Sequence, residues 1–186
     1  NLYTVQRTEL TRLRDTDEDG QADEYLTHAK GWGVTGNYHE YAYGPAVDGA
    51  GNLWVALNCS IGKGYNSNNQ WRGWSLRVKP DGSWEPMSGG FRSPSGIGTN
   101  LNGDVFATDQ QGNWFPTCPL MHLKRGTFHG HADSLPFTGL PGATFKVDGE
   151  LPKNLTVTQA AKLIPAYQLP AVWFPYRKMG MSTTDI

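Results

Sequence analysis

Long apolar runs are missing from this chain. Its mean hydropathy is −0.52, and no stretch is long enough to cross a bilayer as a helix. The N-terminus carries no charged-then-apolar secretion signal. Long amphipathic helical patterns are nearly absent as well. Neither sign of charge is in excess. Sixteen Lys and Arg against 17 Asp and Glu leave a formal net charge of −1, which offers nothing to a nucleic acid or an anionic membrane surface. Cysteine is scarce, with Cys59 and Cys118 alone.

What is abundant is glycine (23) and proline (12), with seven tryptophans and eight tyrosines in 186 residues. Turn pairs are spread along the chain at Asp19-Gly20, Asp48-Gly49, Asp81-Gly82, Asn102-Gly103 and Asp148-Gly149. Many short strands joined by such turns make an all-β protein. A short phrase recurs three times: Asn1-Leu2-Tyr3-Thr4-Val5, Asn52-Leu53-Trp54-Val55-Ala56 and Asp104-Val105-Phe106-Ala107-Thr108. The starts at residues 1, 52 and 104 are 51 and 52 residues apart, a spacing typical of blade-type repeats.

The fold class expected is therefore a partial β-propeller of about three blades. Propellers close with roughly 4–8 blades, so residues 1–186 are read as a fragment of one longer propeller domain whose unpaired edges would promote association if cut out alone. Inner strands are expected at 38–45, 95–100 and 182–186. Outer strands are expected at 9–13, 74–78 and 120–123. Residues 151–165 break the pattern and read as an insertion, with a short helix in Thr156-Val157-Thr158-Gln159-Ala160-Ala161-Lys162-Leu163 capped by Asn154 or Thr156. Cys59 and Cys118 each follow the outward run of a repeat. They could pair across neighbouring blades in an oxidising compartment or stay as two small buried thiols. Asn58-Cys59-Ser60 and Asn154-Leu155-Thr156 match the glycosylation pattern, as chance often allows.

Asp15-Thr16-Asp17-Glu18-Asp19-Gly20-Gln21-Ala22-Asp23 is the sharpest local motif. Oxygens at positions one, three and five, glycine at six and a carboxylate at nine match the start of an EF-hand loop, and Gln21 would offer its carbonyl. Position twelve is Leu26, so the motif is no EF-hand. It is similar to the shorter calcium loops in hairpins of integrin-type propellers, with Asp15, Asp17, Asp19, Gln21 and Asp23 as ligands of a structural calcium. A solvated acidic turn is the alternative.

A second group is Phe91-Arg92-Ser93-Pro94-Ser95-Gly96-Ile97-Gly98, then Thr108-Asp109-Gln110-Gln111-Gly112-Asn113, then Lys124-Arg125-Gly126-Thr127-Phe128-His129-Gly130-His131. In this order the segments resemble the soluble quinoprotein glucose and sorbosone dehydrogenases, six-bladed propellers that hold pyrroloquinoline quinone (PQQ) at the channel mouth. That family reads Arg-Asn-Pro-x-Gly-Leu, Glu-Gln-Gly-Pro and Lys-Gly-Gly-x-Tyr-Gly-Trp-Pro, and Pro170-Ala171-Val172-Trp173-Phe174-Pro175 followed by Ser182 is similar to a later segment. The chain also closely resembles secreted dehydrogenases of planctomycete-type bacteria with an Asp-x-Asp-x-Asp-Gly-x-Ala-Asp loop, Asn-Tyr-His-Glu-Tyr and Arg-Ser-Pro.

The resemblance implies PQQ- and calcium-dependent oxidation of a sugar or polyol hydroxyl. Arg92 would grip the quinone's acid groups, because a guanidinium fork pairs directionally with carboxylates. Ser93 stands where the family has asparagine. Gln111 matches a glutamine, and Gly112 and Asn113 match the pair whose carbonyls hold the second calcium. His39 falls within one residue of the family's catalytic base, a role suited to imidazole near neutral pH; a packed histidine among tyrosines is the alternative. Lys178 could reach the channel or simply be exposed. His129 and His131 share a strand face and are expected to pack.

A periplasmic or secreted location and a cytochrome c electron acceptor also follow from the resemblance, although no Cys-x-x-Cys-His haem motif occurs. Two rival readings remain open. One is a non-catalytic calcium-stabilised binding propeller. The other is a lactonase-type metal hydrolase using Glu40, Asn100 and Asp185.

Overall fold

Turn chemistry and short β-branched runs become twelve strands in a computed structural model that describes residues 1–62, 66–113, 115–184 and 186. They form three sheets. The first is an antiparallel meander of β1 (Leu2–Val5), β2 (Glu9–Arg14) and β3 (Glu24–Lys30). The second joins β4 (Ala42–Val47), β5 (Leu53–Leu57), β6 (Trp74–Val78) and β7 (Trp84–Gly89), and gains a short parallel strand, β11 (Thr127–Phe128), beside β7. The third contains β8 (Gly96–Thr99), β9 (Val105–Thr108), β10 (Pro119–His122) and β12 (Val172–Trp173). The three recurrent phrases are β1, β5 and β9.

Burial gives the stacking order. Every residue of β5 is buried, whereas β1 alternates exposed with half-buried positions and β10 alternates buried with half-buried ones. A strand covered on both faces reads as a continuous apolar run, and a strand covered on one face alternates. The second sheet is therefore the middle layer. At its inner edge β4 packs against both β1 and β8, a propeller-like arrangement of sheets side by side. Aromatic rings fill the middle: Trp74 stacks on Phe145 at 4.7 Å and meets Trp71 edge-on at 5.2 Å, and its indole N–H donates to the Ser134 carbonyl at 2.9 Å.

Arg72 ties the first sheet to the second. Almost wholly buried, it donates to the carbonyls of Gly33 (2.7 Å), Tyr41 (2.9 Å) and Arg7 (2.6 Å). Burial pushes its pKa down to about 10, with Glu40 opposing that shift.

The inner strand expected over 38–45 starts only at Ala42. Asn37 captures the intervening chain, its Oδ1 accepting from His39 N at 2.9 Å and its carbonyl from Glu40 N at 3.1 Å. No strand forms over 182–184 or at 186. That segment is held to the loop after β9 instead, with Gln110 Nε2 donating to the Thr183 carbonyl at 3.1 Å and Thr183 Oγ1 donating to the Asp109 carbonyl at 3.2 Å. The expected helix is α1 (Val157–Ala161), and its cap is Thr156, in a reciprocal capping box with Gln159.

No helix of the described residues is long and apolar enough to cross a membrane. Cys59 and Cys118 are free, buried thiols. Asn58 is buried too, which removes Asn58-Cys59-Ser60 as a glycosylation site.

Candidate functional site

Strand direction gathers the site. Where β4 and β8 begin, β5 and β9 end, so residues 39–41, 58–60, 91–95 and 109–113 share one end of the sheets. The hairpin turns lie at the other end, where Gly49 N donates to the Gly103 carbonyl at 3.4 Å. Gly103 is needed there: its φ is +82°, and a Cβ would stand 2.6 Å from the Gly49 backbone.

Asp109 organises the gathered end. Its carboxylate receives three backbone N–H groups, from Arg92 at 2.9 Å, Ser93 at 2.6 Å and Gln110 at 2.7 Å. It thereby clamps the loop entering β8 to the loop leaving β9. Burial pushes its pKa up to about 6, against the pull of those N–H groups and the Arg92 charge.

The Arg92 side chain crosses Gly112 so closely that a Cβ on that glycine would lie 2.6 Å from Nε. Its guanidinium makes no hydrogen bond and no ion pair to the described residues. Gly112 pairs with Phe115 through both its N–H and its carbonyl, each at 3.0 Å. Asn113 has a left-handed φ of 54° and places Nδ2 3.2 Å from His131 Nε2. Ser93 Oγ accepts from Asn58 Nδ2 at 3.3 Å. Gln111 is set between Cys118 Sγ, which accepts from its N–H at 3.4 Å, and Tyr176 Oη, which accepts from its side chain at 3.4 Å. Arg92, Ser93, Gln111, Gly112 and Asn113 are thus brought together.

His39 sits in the turn before β4 rather than in a strand. Half-buried, its ring meets Tyr38 edge-on at 5.3 Å. It reaches the Arg92 loop indirectly. Tyr41 N donates to the His39 carbonyl at 2.8 Å, Asn58 N to the Tyr41 carbonyl at 3.0 Å, and Asn58 Nδ2 to Ser93.

His129 and His131 lie beyond the end of β11 and do not share a strand face. Both are buried, and burial holds His129 down to about 3. Burial likewise lowers His131, with Asp133 opposing, and raises the Cys59 thiol well above its usual range. Lys178 is exposed.

Of the lactonase ligand set, the two described residues, Glu40 and Asn100, lie at opposite ends of the sheets. Glu40 lies at the gathered end, fully buried, and accepts from Thr35 N, Thr35 Oγ1 and Ser60 Oγ at 2.7, 2.7 and 2.6 Å. Asn100 lies at the opposite end, where its Oδ1 accepts from Asn102 N and Asp104 N. Asp185 lies outside the described residues.

The acidic loop joins β2 to β3, at the end opposite Arg92. Carboxylate oxygens of Asp15, Asp17 and Asp19 come within 4.8 Å of one another, all exposed. Asp15 Oδ2 accepts from Gly20 N at 2.8 Å and Asp19 Oδ1 from Gln21 N at 2.8 Å. Asp23 turns away to Thr16, accepting from its N–H at 2.7 Å and its hydroxyl at 2.6 Å.

Sequence reasoning missed Asp109 as the brace, Arg72 as the inter-sheet tie and the meeting of Cys59 with His131 and Asp133. A carboxylate next to a Gln-Gln-Gly loop was the one available signal, and it pointed to Asp109.

No curated protein matches the sequence. Among solved structures, two glucose dehydrogenases share the fold. One aligns at a TM-score of 0.56 and 15% identity over 88% of this chain and 47% of its own length; the other aligns at 0.58 and 15% over 88% and 48%. The chain spans about half the length of these structures. The family model described as "Domain of unknown function (DUF7133)" matches residues 3–136, more than half of the sequence, so the chain belongs to that family.

Proposed function

We propose that this chain supplies the cofactor-clamping part of a sugar or polyol dehydrogenase that works with PQQ and calcium. The observation that carries the reading is the Arg92 guanidinium, half-buried, laid across Gly112 and lacking an acceptor among the described residues. A rigid fork of five donors left open beside a backbone loop suits a polycarboxylate. Arg92 would bind the quinone's acid groups, held in place by Asp109. Gly112 and Asn113 would offer carbonyls to calcium, and Gln111 and Ser93 would complete the wall. Ser93 brings a hydroxyl where the related pattern has an amide, one donor fewer. Bound there, the quinone supplies hydride acceptance, a chemistry no side chain provides. His39 takes the proton of the substrate hydroxyl.

The shared fold with glucose dehydrogenases supports a sugar-like substrate. A cytochrome c acceptor and a periplasmic or secreted setting belong to the same reading. The structural calcium would be held by Asp15, Asp17 and Asp19 with the Gln21 carbonyl, Asp23 joining when it releases Thr16.

The test uses the full-length protein with PQQ and calcium, read by the quinone absorbance. Arg92→Ala should weaken quinone binding about 10–100-fold, the value of a charge-assisted pair. His39→Gln should leave binding intact and lower turnover of an aldose by about 10²–10⁴. No quinone binding, or equal binding by Arg92→Ala, overturns the reading in favour of a binding-only propeller. Undiminished turnover in His39→Gln removes that residue from the reaction.

A further inference from the structure

Cys59, His131 and Asp133 meet beside the Arg92 loop. Cys59 follows β5, His131 lies past β11, and Asp133 is in the first turn of a 3-10 helix, Ala132–Gly139. The sulfur, an imidazole nitrogen and a carboxylate oxygen all lie within 4.8 Å of one another. Cys59 is fully buried and His131 is 2% exposed, while the Asp133 side chain is 31% exposed.

The backbone between β7 and β8 makes this meeting possible. On one side Cys59 N donates to the Arg92 carbonyl at 3.1 Å. On the other, His129 N donates to the Gly89 carbonyl at 2.8 Å and His131 N to the Gly90 carbonyl at 3.0 Å. Gly90 has a φ of +97°, and a Cβ there would stand 2.7 Å from the nitrogens of His129 and Gly130. Only glycine permits the approach.

The imidazole provides a second, independent observation. His131 Nδ1 is buried and has no hydrogen-bond partner among the described residues. A buried polar atom left unsatisfied carries its full desolvation penalty. Asp133 Oδ2 stands 4.0 Å away, too far for a hydrogen bond. Two ligand atoms, each about 2.1 Å from a tetrahedral ion, lie about 3.4 Å apart. The gap is close to what a shared ion requires.

We propose that Cys59, His131 and Asp133 form a mononuclear site for a divalent metal of the zinc class, with a fourth position open to water on the side of Asp133. Thiolate and imidazole donors select a borderline transition ion over calcium. Binding releases the thiol proton to solvent. With Nδ1 on the metal, Nε2 carries its hydrogen, and the Asn113 amide turns its oxygen to accept it. That partner outside the ligand shell fixes ring orientation and tautomer. A nucleophilic thiol is the rival reading, but it needs an accessible sulfur, and Cys59 is fully buried. None of the three ligands takes part in the quinone proposal, and the one shared residue, Asn113, offers its backbone carbonyl there and its side-chain amide here.

The test is a titration of untagged full-length protein, stripped of metal, with Co²⁺ and then Zn²⁺. The expected result is a near-ultraviolet thiolate-to-cobalt charge-transfer band that saturates at one equivalent and is displaced by Zn²⁺. Cys59→Ser abolishes the band and Cys118→Ser preserves it. Asp133→Asn, at a part-exposed position, keeps the fold and weakens Co²⁺ binding at least about tenfold, so it decides the matter if Cys59→Ser fails to fold. Absence of the band overturns the proposal. So does a band that survives Cys59→Ser, or unchanged affinity in Asp133→Asn.

Discussion

Asp109 is the residue on which the loops of the candidate site converge, and its burial gives it an unusual pH signature. Its pKa in the folded chain is pushed up to about 6, against about 3.9 for a free aspartate. The folded state therefore holds the proton more tightly than the unfolded state. The resulting stabilisation is complete below about pH 4 and is lost as pH rises through about 6, on the order of 3 kcal/mol in all. Glu40 acts in the opposite sense. Burial raises its pKa, but hydrogen bonds from Ser60 and Thr35 and the Arg72 charge outweigh that and leave it lowered. Its stabilisation is present above the free glutamate value and lost as pH falls through the folded one. The wild type is expected to lose stability relative to Asp109→Asn between pH 4 and pH 7, measured as the difference in urea unfolding free energy. A difference that stays flat, or grows in favour of wild type, would refute this account of Asp109.

At the scale of elements, the β2–β3 hairpin is where a metal would act on stability. Three carboxylates within 4.8 Å repel one another, and among the described residues they accept hydrogen bonds from backbone N–H groups and the Gln21 amide. Calcium at 100 times its dissociation constant would add about 2.7 kcal/mol, or roughly 5–10 °C in melting temperature for a chain of this size. Differential scanning calorimetry in calcium and in EDTA should show that shift for wild type and not for Asp17→Asn. Equal melting temperatures in both buffers would leave the loop a solvated turn. This hairpin was legible in the sequence because its chemistry is local: glycine at the sharp turn, carboxylates at alternate positions. So were β1, β5 and β9, whose Gly-containing turns recur with the period. The Arg92 and Gly112 loops were legible as motifs. The false strand at 38–41 was not, since Asn37 diverts a β-rich run through hydrogen bonds that no pattern announces. Nor was the Cys59, His131 and Asp133 cluster, which exists only because glycine backbones let distant segments touch.

At the scale of the whole molecule, the stacking order leaves the third sheet with one covered and one open face. Ile97, Ala107 and Met121 point toward the middle sheet, while Gly98, Phe106, His122, Leu120 and Val172 share the opposite face by register. Phe106 stacks on His122 at 4.6 Å there, beside a groove of about 280 Å³ lined by Gly98, Thr99, Asn100, Phe106, Leu120 and Ile186. The middle sheet buries both of its faces, and the repeat that places β5 between β1 and β9 would place a further sheet over β9 in the same way. Structures sharing the fold are about twice as long, this chain covering 47% and 48% of them. Residues 1–186 produced alone should therefore associate through this face. Sedimentation velocity is expected to show mass rising with concentration over roughly 1–100 µM, where exposed strand edges and apolar surface drive assembly. The double change Phe106→Ser with Leu120→Lys should hold the span monomeric. A span that is monomeric throughout, or whose association ignores those two residues, would mean that the open face is a native surface.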